Sequence, residues 1–71
     1  MSIKIRKLLG QKIRRVRTDK EISQEELAFI SGLHRTYISE VERGIRNVSI
    51  DNIYKISKAL DISLKDLFDF N

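Results

Sequence analysis

The hydrophobic positions recur at helical spacing. Ile5, Leu9, Ile13 and Val16 follow one another at intervals of four and three with cations between them, which predicts a first helix over residues 3–20. Ser23-Gln24-Glu25-Glu26 has the S-x-x-E form of a capping box. It starts a second helix that carries Leu27, Ala28 and Ile30 and stops at Gly32. A third helix is expected from Arg35 to Arg43, with Ile38 and Val41 as its apolar positions, Tyr37 at their edge and Gly44 just past its end. Ser49 caps a fourth, with Ile50, Ile53, Ile56 and Leu60 along one side. Ser63-Leu64-Lys65-Asp66 resembles a second capping box, with Asp in place of Glu, and starts a short fifth helix through Leu67 and Phe68.

Composition agrees with an all-α chain. Pro is absent and Gly occurs three times, so there are few helix breakers. The 71 residues make one domain, 1–71, without room for a second. A chain of this size buries only about 60% of the surface its unfolded form exposes. The absence of Cys excludes a disulfide framework and a thiolate zinc site, and the single His excludes a multi-histidine metal site. No metal and no cofactor are expected. Without a phosphate loop, an HExxH motif or a nucleophile–base set, the chain does not read as an enzyme. No apolar run approaches a membrane span or a signal-peptide core, so the expectation is a cytoplasmic protein with no membrane partner and no small-molecule ligand.

Charge changes the picture more. Residues 1–20 hold eight cations against Asp19 alone, a net +7, whereas residues 21–71 carry a net −3. A basic segment on a small domain suggests a polyanion, of which nucleic acid is the commonest.

The second and third helices are separated only by Gly32, Leu33 and His34. Helices joined so tightly cross steeply and bury small residues where they touch. Ala28 suits that crossing, Gly32 the sharp turn, and Ile38 with Val41 the anchoring of the third helix. These are the features of a helix-turn-helix spanning about residues 23–43.

The stretch from Ser23-Gln-Glu-Glu-Leu-Ala through Glu42-Arg-Gly44 is similar to the Cro/C1-type, or XRE-like, helix-turn-helix of phage repressors and bacterial regulators. The resemblance covers the whole chain, since that family has one helix before the motif and two after it. It implies a five-helix, lambda-repressor-like fold and sequence-specific regulation of transcription on double-stranded DNA. Leu33-His34-Arg35-Thr36-Tyr37-Ile38-Ser39, with Glu42-Arg43-Gly44 and Arg46-Asn47, resembles more narrowly the controller proteins of type II restriction–modification systems. Those act on their own promoter as dimers. A repressor of a phage or mobile element, or a protein-interaction module of the antitoxin or antirepressor kind, is the alternative. Two positions depart from the family pattern: Glu21 replaces a frequent Gly after the first helix, and His34 replaces the usual Ser, Thr or Asp cap.

With Ile38 facing inward, Thr36, Ser39, Glu40 and Arg43 point away from the core, with Arg35 and Tyr37 on the flanks. The N-terminal part of such a helix enters the major groove, which makes Arg35, Thr36 and Ser39 the expected base readers. Ser23 and Gln24 begin the second helix, where free N–H groups and the helix dipole favour a phosphate. Tyr37, Arg43, Arg46 and Asn47 resemble the backbone-contacting positions of the controller proteins. Glu40 is awkward beside DNA unless it accepts from cytosine N4, and it is read as discriminating or solvent-facing. In the family an Arg late in the first helix pairs with the Glu before Arg-Gly, which implies a structural ion pair between Arg17 and Glu42.

One recognition helix reads too few base pairs to find a site in a genome, so a homodimer on a roughly palindromic operator is expected. Its surface must avoid the second and third helices. The C-terminal part is richer in apolar residues than one small core can bury, and Ile50, Leu64, Phe68 and Phe70 are the expected interface.

Overall fold

Serine opens four of the five helices. The structure, a computed structural model describing residues 1–71, runs α1 (Ile3–Asp19), α2 (Gln24–Ser31), α3 (Arg35–Glu42), α4 (Ile50–Ala59) and α5 (Leu64–Leu67), with no strand. Ser2, Ser23, Ser49 and Ser63 precede α1, α2, α4 and α5 in extended backbone. Each hydroxyl accepts the N–H three residues on, at 2.9–3.2 Å. Such a cap satisfies an otherwise orphaned donor and contributes about 1 kcal/mol. Only half of the capping box at Ser23 forms: Glu26 is exposed and its carboxylate makes no return bond.

The closures are equally uniform. After each of α1 to α4 one residue is left-handed: Glu21 (φ 58°), Gly32 (φ 75°), Gly44 (φ 73°) and Asp61 (φ 56°). The next residue, always Ile or Leu, sends its N–H back five residues. Ile22, Leu33, Ile45 and Ile62 thus bond the carbonyls of Arg17, Ala28, Glu40 and Ser57 at 3.0–3.1 Å. This is the six-to-one bond of a Schellman closure. Gly32 adopts it freely in the helix-turn-helix joint, whereas Glu21 and Asp61 carry a Cβ into it at a cost of about 1–2 kcal/mol each.

The core is one cluster drawn from every helix, with Leu9 and Ile13 of α1, Leu27 of α2, Ile38 of α3, Ile56 of α4 and Leu67 of α5 all fully buried. Each such side chain contributes roughly 1.5–3 kcal/mol by leaving water. Gly10 lets α1 approach the end of α3. A Cβ there would meet the Val41 carbonyl and stand 2.7 Å from the Glu42 carbonyl oxygen, so no larger residue fits without moving the two helices apart. The first apolar stripe differs from expectation at one end. Ile5 is 37% exposed because the residues before Arg6 are all exposed and the first turn of α1 projects beyond the core.

The chain end is tied back to α1. Lys12 Nζ donates to the Asp69 carbonyl at 2.9 Å, and Phe70, half-buried, sits beside Leu8, Gln11, Lys12 and Arg15. No helix is long and apolar enough to cross a membrane.

Candidate nucleic-acid interface

The α2–α3 unit is built as its residues dictate. Ala28 is buried at the joint, Gly32 turns the chain, and Ile38 and Val41 hold α3 onto the core. The opposite side of α3 is open: Arg35, Thr36 and Arg43 are exposed, with Ser39 and Glu40 partly so. α3 alone lacks a side-chain cap, because His34 stands in the capping position and makes no such bond. Its first N–H groups therefore meet solvent or a ligand rather than a serine.

Beside this face lies a hollow of about 410 Å³, bounded by the α2–α3 joint, α3 and the start of α4. It brings together four of the polar side chains. Arg46 Nη1 donates to Glu40 Oε1 at 2.8 Å, and the Arg46 guanidinium stacks over the Tyr37 ring at 4.7 Å from its centroid. Asn52 Nδ2 donates to Tyr37 Oη at 3.1 Å. Thr36 also lines the hollow, whereas Ser23, Gln24, Arg43 and Asn47 lie outside it. Glu40 is thus the partner of a cation, with its side chain still partly exposed. Asn52 was not among the expected residues. It falls off the apolar stripe of α4 and stands fifteen positions from Tyr37, so no local spacing points to it.

Arg17 and Glu42 form the most enclosed polar contact. Glu42 is 7% exposed and receives Arg17 Nε at 2.6 Å and Nη2 at 3.0 Å. Arg17 Nη1 also donates to the Ile22 carbonyl at 2.8 Å, and Gln24 Nε2 completes the set with a 3.0 Å bond to Glu42 Oε1. The Gln24 amide is therefore engaged inside the protein. At the head of α2 the Ser23 hydroxyl is occupied as a cap, and Glu25 and Glu26 stand alongside. Those carboxylates offset the positive end of the helix dipole that an anion would use.

The expected dimer residues divide. Ile50 is 65% exposed, and Leu64 lines a second hollow of about 430 Å³ with Tyr54, Lys58, Asp61 and Ile62. Phe70 instead rests on α1, edge-on to Phe68 with ring centroids 6.0 Å apart. Tyr54, 52% exposed and one helical turn from Ile50, is an unanticipated member of this face. The four-residue step from Ile50 is the signal that could have found it.

A helix-turn-helix family model matches residues 13–67 of the chain. Control protein C.BamHI of Bacillus amyloliquefaciens is 62% identical over 71 residues, covering 99% of this chain and 88% of that protein. Control protein C.SmaI of Serratia marcescens is 46% identical over 63 residues, 89% of this chain and 75% of that one. The crystal structure of the restriction-modification controller protein C.AhdI from Aeromonas hydrophila superposes with a TM-score of 0.86 at 53% identity, covering 87% of this chain and 94% of that one. With more than half of its length matched and relatives this similar along nearly all of it, the chain belongs to the helix-turn-helix family.

Proposed function

We propose that this protein is a DNA-binding transcriptional regulator, the controller of a restriction–modification system, which grips duplex DNA with α3 in the major groove. The observation that carries this reading is the division of α3 into a buried apolar side and an exposed side bearing Arg35 and Thr36. Arg35 is suited to guanine O6 and N7, Thr36 to a thymine methyl or a hydroxyl contact, and Ser39 to the base one turn further on. Arg43, Arg46, Asn47 and the Tyr37 hydroxyl flank that face and take phosphates, while the head of α2, with the Ser23 hydroxyl and the Gln24 amide already engaged, has only backbone N–H groups to add. The cations of α1 raise the local potential rather than make fixed contacts. The exposed large apolar side chains include Ile3 and Ile5 of α1, Phe29 and Ile30 of α2, Ile45 after α3, Ile50 and Tyr54 of α4 and Phe68 after α5, and none lies on α3. That distribution favours DNA over a protein-interaction role for α3. The chemistry is recognition, and the protein is a regulator rather than an enzyme.

The regulator works as a two-fold dimer. Its longest dimension is 27 Å, shorter than the roughly 34–36 Å between half-sites on one face of DNA, so two copies are needed to read both. Ile50 and Tyr54 are exposed apolar side chains one turn apart on α4, Leu64 lines the hollow beside Tyr54, and Lys58 with Asp61 gives a symmetric pair opposite charges to exchange. One domain, 1–71, supplies both surfaces.

The test is binding to labelled duplexes as salt is varied. A dimer neutralising roughly 6–10 phosphates loses about 10³–10⁵ in affinity between 50 and 200 mM salt, while preference for one sequence persists. A flat salt response, or equal affinity for every sequence, contradicts the reading.

A further inference from the structure

We propose that Asn52 is a positioning residue for DNA binding, which acts by directing the Tyr37 hydroxyl outward as a hydrogen-bond donor. The inference rests on the DNA-binding reading above. A phenolic hydroxyl carries one donor hydrogen and also accepts. Asn52 Nδ2 donates to Tyr37 Oη at 3.1 Å, so the accepting side of the oxygen is used inside the protein. The phenolic hydrogen is left for a partner beyond it. An acceptor-only group is what that hydrogen suits, and the acceptor that dominates a DNA surface is phosphate.

The rest of the ring is held as firmly. Tyr37 is half-buried at the margin of the core. The Arg46 guanidinium covers one face of the ring and is itself tied to Glu40. Asn52 is anchored in turn, because its backbone N–H caps on Ser49 Oγ at 3.2 Å in the first turn of α4. The hydroxyl is therefore fixed by a helix outside the helix-turn-helix. Pre-orientation of this kind removes an ordering cost that binding otherwise bears.

A double-mutant cycle separates this role from a structural one. The probe is a duplex recovered by the wild-type protein from a random-sequence pool, titrated by fluorescence anisotropy against wild type, Tyr37→Phe, Asn52→Ala and the double variant. Thermal melting by circular dichroism accompanies each. Each single variant is expected to weaken binding roughly tenfold, the loss of about one oriented hydrogen bond. The double variant is expected to bind like Tyr37→Phe alone. Asn52→Asp serves where Asn52→Ala melts early, since a carboxylate in the first turn suits the helix dipole. It accepts the phenolic hydrogen instead of donating, so it is expected to cost more with Tyr37 present than in the Tyr37→Phe background. The proposal is overturned if the two losses add, if Tyr37→Phe binds as wild type does, or if Asn52→Asp costs the same in both backgrounds. A wild type that recovers no preferred sequence from the pool overturns the DNA-binding reading itself.

Discussion

Arg17 and Glu42, twenty-five residues apart, meet in a two-pronged ion pair that ties α1 to the end of α3, with Gln24 of α2 as a third donor. The pair is nearly dry, its side chains 11% and 2% exposed. Breaking such a pair leaves a charge uncompensated and costs about 3–5 kcal/mol. A domain of this length has roughly 4–11 kcal/mol to lose. Glu42→Ala is therefore expected to lower the melting temperature severely before any change in base preference. Replacing both partners, Arg17→Met with Glu42→Leu, is expected to recover much of that loss, because no buried charge is then left alone. An unchanged melting temperature in Glu42→Ala with DNA binding lost would move Glu42 from scaffold to interface.

Helix limits were legible because their causes are local. A serine, a helical run of apolar residues and a left-handed closing residue all lie within a few positions of the boundary they set. Contacts across the fold were not legible from spacing. The Arg17–Glu42 pair came from family resemblance, and the Asn52–Tyr37 and Arg46–Glu40 bonds carry no sequence signature. The need for Gly10 carries no local signal for the same reason: the backbone that demands it belongs to residues 41 and 42. The left-handed turn at Glu21 is marked only by the family's glycine at that position, and Asp61 adopts the same conformation with no residue type to signal it.

That shared conformation gives a stability prediction. Glu21→Gly relieves about 1–2 kcal/mol of left-handed strain and gives back roughly 0.5–1 in chain entropy. The expected net gain is up to about 1.5 kcal/mol, read as a higher midpoint in urea, with Asp61→Gly behaving alike. Glu21→Ala keeps the Cβ and is expected to gain nothing. Equal midpoints for the Gly and Ala variants would show that position 21 stores no strain.

Arg35 and Arg46 are expected to fail differently. Arg35→Ala removes a base contact, costs about 1–3 kcal/mol per half-site and relaxes preference at one base position. Arg46→Ala weakens binding to all sequences and flattens the salt dependence. Selection from a random pool, followed by titrations at several salt concentrations, distinguishes them. Identical behaviour would remove the division between reader and clamp.

Glu40 restrains Arg46 through a partly exposed pair, which adds little to stability. Glu40→Gln leaves the melting temperature nearly unchanged while releasing the guanidinium and removing a negative charge from the DNA side. Binding is expected to tighten several-fold, with the slope of log affinity against log salt steeper by about 0.9 for each half-site. A loss of preference at one C·G pair, with no tightening, would instead identify Glu40 as an acceptor from cytosine N4.

The dimer face is tested at Leu64. Ile50 and Tyr54 of α4 are more than half exposed, and Leu64 of α5 is partly so beside Tyr54. Sedimentation at tens of micromolar is expected to give a dimer for the wild type. Leu64→Glu places two like charges against one another across a two-fold axis and is expected to give a monomer. DNA affinity then falls as well, because each half-site is bound separately and the gain from linked binding is lost. Phe70→Ala is the informative contrast. Phe70 packs on α1, so its loss is expected to lower the melting temperature and leave the sedimentation coefficient of a dimer. A wild type that sediments as a monomer, or a Phe70→Ala protein that dissociates while Leu64→Glu does not, would place the dimer contact elsewhere.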